Sequence, residues 1–194
     1  MQRISLLKIA HNTLKEHIKI NDIVIDATMG NGHDTLFLAQ QVGPMGRVFG
    51  FDIQQAAIES TIDRLKTNSY LNTLISFHAS HEAMAEKIPL PLHGKISAIM
   101  FNLGYLPGGD KSIITSICSS INALNTACSI ISERGIITLI AYPGHSGGDL
   151  ETVEIKTWCN QLNKNQFQVD IITSAVANET APILFVIRKH SNNN

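Results

Sequence analysis

The sequence has few of the residues that would assign it to a secreted, membrane or metal-binding class. Its three cysteines, Cys118, Cys128 and Cys159, are odd in number and widely spaced, so they predict neither a disulfide framework nor a zinc site. No apolar run approaches the ~20 residues that a membrane span needs. Arg3 and Lys8 interrupt the first apolar segment, so we expect no signal peptide and a cytoplasmic protein.

Charged residues are also scarce, at 16% of the 194 residues, and the formal net charge is −1. We therefore expect no broad basic surface that holds nucleic acid non-specifically, although a local basic patch is compatible with this composition. Hydrophobic residues make up 44% of the chain, which is typical of a globular protein. The length suits one full core, so residues 1–194 are expected to form a single domain.

Apolar runs alternate with helical patterns along the chain. The runs predict strands at 23–27, 47–51, 74–78, 96–101, 135–141, 167–174 and 182–188. The spacing of apolar residues predicts helices at 3–18, 33–41, 54–67, 81–87, 111–128 and 149–163. The final two strands are joined by a short polar stretch, so they should be antiparallel, because parallel neighbours need a long crossover. The sequence thus predicts a Rossmann-like α/β fold with a seven-stranded, mostly parallel sheet, an antiparallel last strand and an extra N-terminal helix.

The most informative segment is 24–35. It combines a buried strand, a turn that contains Gly30 and Gly32, and the start of a helix. The next predicted strand ends in an acid, Asp52. This order of elements is typical of an open α/β sheet that binds an adenosine-type cofactor. The glycines let the backbone approach the ligand, and the acid accepts hydrogen bonds from the ribose hydroxyls.

The residues around the glycine turn favour S-adenosylmethionine over NAD. A dinucleotide site has a third glycine at the position where this sequence has Thr35. Asp34, at the helix start, would repel a pyrophosphate but, like Asp26, suits a ligand with an ammonium and a sulfonium group. Two plainer interpretations stay open: Asp34 complements the helix dipole, and Asp52 is the N-cap of the helix at 54–67.

The histidines give weaker signals. Ser80 and His81 follow the third strand, where an adenine should lie. His81 flanks the base in one interpretation, and Ser80 caps the short helix in the other. His33 is either a solvent-facing turn residue or a ligand contact. His11, like the remaining histidines, gives no signal above a surface or packing role.

A loop rich in glycine and proline, 102–110, follows the fourth strand, at the edge where open α/β sheets carry their chemistry. The amide oxygen of Asn102 can accept a hydrogen bond from an amine N–H and so aim the nitrogen lone pair. Tyr105 offers a flat face to a planar ring. A plain turn with a capping Asn is the alternative.

A second loop, 142–149, follows the fifth strand. In the functional interpretation, Tyr142 and His145 line the acceptor pocket. In the plainer one, Ser146 or Asp149 caps the next helix.

Five segments of the sequence carry a family resemblance: 26–35, 51–54, 80–82, 101–108 and 142–145. They resemble the small bacterial proteins of the rRNA methylase family, members of which methylate the wobble uridine of tRNA. The resemblance covers essentially the whole chain, and the Asn-Leu-Gly-Tyr-Leu-Pro-Gly run from Asn102 is its most specific part. Two departures lie on the expected RNA side: Ser146-Gly147 replaces acidic residues and Ala181-Pro182 replaces paired prolines.

The resemblance implies a class I methyltransferase fold and methylation of 5-aminomethyl-(2-thio)uridine to its 5-methylaminomethyl form at the wobble position. With the residue analysis, it predicts the catalytic residues Asn102, Leu103 and Tyr105 and the substrate-binding residues Tyr105, Tyr142 and His145. The expected S-adenosyl-L-methionine contacts are Asp26, Thr28, Gly30, Asn31, Gly32, Asp34, Asp52, Gln54, Ser80, His81 and Asn102. No metal is expected. The expected partners are tRNA, through its anticodon loop, and a second copy of the chain in a homodimer, with no membrane.

Two other classes of function stay open on the sequence. The same cofactor site would serve a methyltransferase that acts on rRNA, a small molecule or a protein. A non-catalytic nucleoside-binding module would need no acceptor. Transfer of a labelled methyl group to bulk tRNA separates these classes from the first.

Overall fold

The computed structural model describes residues 5–104, 106, 108, 114–144, 147–173 and 180–191. The strands are β1 (Ile23–Asp26), β2 (Arg47–Asp52), β3 (Leu74–His78), β4 (Ile96–Asn102), β5 (Ile131–Ala141), β6 (Phe167–Thr173) and β7 (Ile183–Lys189). The helices are α1 (Leu6–His17), α2 (His33–Val42), α3 (Gln55–Thr67), α4 (Met84–Lys87), α5 (Ile117–Ile130) and α6 (Gly148–Gln161). Short 3₁₀ turns cover Leu71–Thr73, His81–Ala83 and Leu90–Leu92.

The strands form one sheet in the order β3-β2-β1-β4-β5-β7-β6. Neighbours from β3 to β5 are parallel, and β7 runs antiparallel to both β5 and β6. The predicted α/β architecture, with seven strands and the last one reversed, is confirmed.

Helices cover both faces of the sheet. The helical residues of one core cluster come from α1, α2 and α3, and those of the other come from α4, α5 and α6; strand residues make up much of both clusters. Alternate residues of the same strand enter the two clusters: Val24 faces one and Ile25 the other. The central strands are therefore apolar on both sides, which is why they appear as continuous hydrophobic runs in the sequence.

The extra N-terminal helix packs directly on the sheet. Leu6, Ala10 and Leu14 are buried in the same cluster as residues of β4, β5 and β7. The side chain of Ser5 caps the helix by accepting a hydrogen bond from the backbone N–H of Lys8 at 3.2 Å. α1 thus ends up beside the central strands, although it precedes all of them in the chain.

The predicted helix at 111–128 was wrong in its bounds. Residues 111–113 lie outside the described part of the chain, and the next three are not helical. α5 begins at Ile117 because Ser116 and Ser119 form a capping box, in which each side chain bonds the other residue's backbone N–H. β5 starts as soon as α5 ends, earlier than predicted, with Arg134 at φ 61 inside the strand.

The carboxyl ends of β1, β2 and β4 meet at one edge of the sheet. β1 lies between the other two, at the point where the strand order reverses, and a crevice opens at such a point. Asp26, Asp52 and Asn102 are the last residues of these three strands. The topology alone therefore brings the polar residues that the sequence predicts for the site to one crevice.

Candidate cofactor and acceptor site

A cavity of about 580 Å³ opens at this edge of the sheet. Most of the predicted site residues that the structure describes line it: Thr28, Gly30, Asn31, Asp34, Asp52, Gln54, Ser80, His81, Asn102, Leu103 and Tyr142. The predicted cofactor contacts Asp26 and Gly32 are buried and do not line it. Tyr105 and His145 lie outside the described residues.

Asp52 holds the glycine turn in place. One carboxylate oxygen accepts a hydrogen bond from the backbone N–H of Gly30, and the other accepts one from Gln54, both at 2.9 Å. Gly30 itself lies at φ 52, in the left-handed region that favours glycine. The N-cap position of α3 belongs to Gln54, so the interpretation of Asp52 as that cap is wrong. The Asp52 carboxylate keeps further lone pairs for a ligand, because a carboxylate offers about four acceptor sites.

Asp26 lies beneath the cavity, with 1% of its surface exposed. Its carboxylate accepts hydrogen bonds from Thr28 N at 3.1 Å and from Thr35 Oγ1 at 2.6 Å. Burial, and secondarily the negative charge of Asp34, raise the pKa of Asp26 to about 7. Asp26 therefore supports the turn and places partial negative charge below it.

This raised pKa predicts a pH-dependent stability. The folded protein retains a proton on Asp26 at pH values where the unfolded chain, with a carboxyl pKa of about 4, has lost it. The stability due to that proton is complete below about pH 4 and is lost as the pH rises to about 7. Relative to Asp26→Asn, the wild-type free energy of unfolding should fall by up to about 1.4 kcal/mol per pH unit across this window. Urea denaturation at a series of pH values measures it, and parallel curves for the two proteins would contradict it.

Asp34 connects three elements of the site. His11 Nε2, on α1, lies 2.7 Å from its Oδ1, and Asn102 Nδ2, at the end of β4, donates a hydrogen bond to its Oδ2. Because an ionised carboxylate only accepts hydrogen bonds, Asn102 must present its NH₂ group to Asp34. The backbone N–H of Asn102 donates to Thr28 Oγ1 at 2.8 Å, which fixes the main chain at the same point.

The other atom of the Asn102 amide has no partner. Its Oδ1 is buried and accepts no hydrogen bond within the part of the chain that the structure describes. An unsatisfied buried acceptor costs about 1–3 kcal/mol. Such an orphaned oxygen in a residue that lines a cavity is a candidate for a ligand N–H.

The loop after Asn102 is held by a buried acid that the sequence analysis missed. Glu151, on α6, is 3% exposed and accepts hydrogen bonds from Ser120 Oγ at 2.6 Å and Thr115 Oγ1 at 3.0 Å. Thr115 in turn exchanges two hydrogen bonds with Gly104, at 3.1 and 3.0 Å. Leu103 is anchored separately by its N–H, which donates to the Ile140 carbonyl at 2.9 Å. In the sequence, Glu151 is one of several acids in a predicted helix, and nothing there indicates that it anchors this loop.

His81 also lines the cavity and is only 7% exposed. Its ring meets the Phe101 ring edge-on with centroids 5.8 Å apart, and burial lowers its pKa, so the imidazole is neutral. Ser80 lines the cavity and also caps the 3₁₀ turn by accepting from Glu82 N at 3.4 Å. His33 is an exposed residue of the lining.

Tyr142 approaches the site from the end of β5. It lines the cavity, and burial, followed by the charge of Asp34, raises the pKa of its phenol. The hydroxyl therefore stays protonated. The next helix begins at Gly148 with Gly147 as its N-cap and no side-chain cap bond, so Asp149 is not the cap; Ser146 lies outside the described residues.

The charge of the site suits a cation better than a phosphate. Among the described residues that line the cavity, two are aspartates and none is a lysine or arginine. No group of three His, Cys, Asp or Glu side chains in the described segments is arranged to hold a metal ion. No helix among these segments is both long and apolar enough to cross a membrane.

A known protein family matches most of the chain. The family model described as "Putative rRNA methylase" matches residues 48–188. A curated relative from Arabidopsis thaliana, "tRNA (mnm(5)s(2)U34)-methyltransferase, chloroplastic", is 40% identical over 157 residues. That alignment covers 76% of this chain and 57% of the relative, so the chain spans less than two thirds of that protein.

Two solved structures are similar over nearly their whole length. One, from Clostridium thermocellum, is described as a "putative rRNA-methylase"; it is 37% identical with a TM-score of 0.91, over 97% of this chain and 100% of that one. The other, from Streptococcus mutans, is described as a "putative methyltransferase" in complex with SAH. It is 28% identical with a TM-score of 0.84, over 97% of this chain and 99% of that one.

Proposed function

The chain belongs to the family described as "Putative rRNA methylase", and on that premise we propose that it is an S-adenosylmethionine-dependent tRNA N-methyltransferase. Its reaction converts 5-aminomethyl-(2-thio)uridine at the wobble position to the 5-methylaminomethyl form. The name of the Arabidopsis relative supports the substrate, and the S. mutans structure with SAH supports the cofactor. The observation that carries the proposal in this chain is the buried, unpartnered Oδ1 of Asn102 at the cavity.

The donor set of the cavity fits S-adenosylmethionine. Asp52 would bind the ribose hydroxyls through its remaining lone pairs, and Ser80 and His81 would flank the adenine. Asp34, with Asp26 below it, provides the negative charge that a sulfonium and an ammonium group require. When bound, the cofactor supplies a methyl group on a positively charged sulfur.

The acceptor half of the site fits an amine. Asn102 Oδ1 would accept one amine N–H and so direct the nitrogen lone pair, and the Leu103 carbonyl would accept the other. Tyr105 and Tyr142 would stack on the uracil, and His145 would contact the same nucleotide, because bases of single-stranded RNA loops are held by stacking on aromatic residues. The amine must be neutral to attack, and its removal from water lowers its pKa. Positioning of this kind supplies much of the acceleration in a two-substrate reaction.

Methylation of tRNA from cells that accumulate the 5-aminomethyl nucleoside tests the substrate. We expect the purified protein and labelled S-adenosylmethionine to convert that nucleoside to one that is one methyl group heavier in a mass spectrum of the digested tRNA. Ribosomal RNA and total protein serve as parallel acceptors. Transfer to either of these, with none to tRNA, would contradict the proposed substrate. Binding of cofactor without transfer to any acceptor would favour a nucleoside-binding module.

Asp52→Asn should weaken cofactor binding by about 10- to 100-fold. The substitution removes the negative charge, and the new amide NH₂ group must face the backbone N–H of either Gly30 or Gln54. A hydrogen bond to a charged group contributes about 1.5–3 kcal/mol, so its loss has an effect of this size. Calorimetry with S-adenosylhomocysteine measures the affinity. Asp63→Asn, an exposed position on α3, is the matched control. Equal affinities for wild type and both variants would contradict the role of Asp52.

The remaining parts of the proposal concern location and assembly. A cytoplasmic location is part of the same proposal, and contact through the anticodon loop follows from the wobble position. The homodimer stays a prediction, which the molecular mass in solution tests.

A further inference from the structure

His11, on α1, reaches the acceptor edge through a carboxylate. Its Nε2 lies 2.7 Å from Asp34 Oδ1, and the other oxygen of Asp34 accepts a hydrogen bond from Asn102. The side chains of His11 and Asp34 are 26% and 13% exposed, so the pair is largely shielded from water. A chain of polar contacts therefore runs from the N-terminal helix to the end of β4.

The His11 ring also packs against α2. It stacks face to face on Phe37, with ring centroids 3.9 Å apart and an angle of 7° between the planes. Phe37 and Asp34 lie three residues apart on α2 and so share one face of that helix. α2 thus contacts the imidazole in two separate ways, by the stack with Phe37 and by the contact with the Asp34 carboxylate, and only the second connects His11 to Asn102.

We propose that His11 is a positioning residue for methyl transfer: by holding Asp34, it keeps the amide oxygen of Asn102 turned toward the incoming amine. This inference rests on the proposed function. Since Asn102 Oδ1 is buried without a partner among the described residues, no hydrogen bond to that oxygen holds the amide in this orientation. The Asp34 carboxylate holds the amide only while it stays in place itself, and His11 is its second donor. Catalytic groups keep a productive orientation only when neighbouring side chains fix them in this way.

Three substitutions separate the hydrogen bond from the stack. His11→Phe keeps a ring on Phe37 but cannot contact Asp34 through a donor. His11→Gln places an amide nitrogen near the position of Nε2 but loses the ring. Phe37→Leu leaves the His11–Asp34 pair and removes the stack. We expect His11→Phe to lower kcat at least about 10-fold, and the other two to stay within about 3-fold of wild type. The KM for tRNA and the cofactor affinity should change by less than about 3-fold in all three.

A second measurement does not depend on turnover. In the cofactor-free protein, the side-chain amide of Asn102 should give two sharp ¹H–¹⁵N signals, identified by their loss in Asn102→Ala. We expect them to broaden or change chemical shift in His11→Phe and to persist unchanged in His11→Gln. Unchanged kcat in His11→Phe, or an equal loss in Phe37→Leu, would overturn the positioning role. If the wild-type protein methylates no tRNA, the proposed function fails, and the amide signals alone decide whether His11 orients Asn102.

Discussion

Asn102→Ala is expected to bind the cofactor with wild-type affinity and to lose at least about 100-fold in kcat, because misplacement of a reacting group by about 1 Å can cost that much. Its Oδ1 is the orphaned acceptor of the site, and the substitution removes it without touching the Asp52 contacts. The backbone N–H of residue 102 still reaches Thr28 Oγ1, so the end of β4 should keep its course. The KM for tRNA should change far less than kcat, since the amide aligns one amine rather than holding the RNA.

Single-turnover methylation of tRNA, with cofactor affinity measured by calorimetry, tests this expectation. Asn160→Ala, at an exposed position on α6, is the matched control. A normal single-turnover rate in Asn102→Ala would show that the orphaned oxygen has no part in the reaction. A loss of cofactor affinity as large as the loss of rate would instead move Asn102 into the cofactor half of the site.

The location of the site could be predicted from sequence because it depends on topology. Asp26, Asp52 and Asn102 each end an apolar run, and parallel strands that are neighbours in a sheet end at the same edge. The parallel direction of most strands followed from helix-length connections, and the reversed last strand followed from one short link. No side-chain detail was needed for either step.

The contacts of the site could not be predicted in the same way, because they depend on how helices pack. His11 meets Asp34 only because α1 lies beside the central strands, and the sequence analysis assigned His11 no role beyond surface or packing. The signal in the sequence was weak: Leu7 and His11 are four residues apart, so they share a face of α1. Only the structure shows that Leu7 lines the cavity. Glu151 was missed for a similar reason, since its two hydroxyl donors lie on α5 and just before it.

The location of Asp26 could be predicted from the sequence, but its role in the site could not. The sequence predicts a cofactor contact from its place before the glycine turn, and the structure buries it under the turn with both oxygens bonded to neighbours. An acid at the end of a strand can face the ligand or support the loop that does, and packing against α2 decides between these roles.

Gly32→Ala is expected to lower the free energy of unfolding by about 2–5 kcal/mol, the sum of backbone strain and overpacking. Gly32 lies at φ +76, where an L-residue costs about 1–2 kcal/mol. A Cβ there would also stand 2.7 Å from Thr61 Cα and 2.9 Å from Thr61 Oγ1. The close contact is with the backbone of α3, so relief requires α2 and α3 to separate, and overpacking of this kind costs about 1–3 kcal/mol more.

Gly94 offers a matched control within the same chain. It has φ +77, and an added Cβ would meet no atom within 4 Å, so Gly94→Ala carries the backbone strain without the clash. We expect it to lose only about 1–2 kcal/mol. Urea denaturation of both variants, analysed with a common m-value, measures the difference. Equal losses of unfolding free energy in the two variants would mean that α3 moves away from the added methyl group without loss of stability. A larger loss at Gly32 would show that close packing of α2 on α3 is what requires glycine there.

The separation of α2 and α3 in Gly32→Ala should also affect the cofactor site. It would pull Thr61 Oγ1 from the Gly30 carbonyl, which now lies 3.1 Å away, so Gly32→Ala should weaken cofactor binding and Gly94→Ala should leave it unchanged.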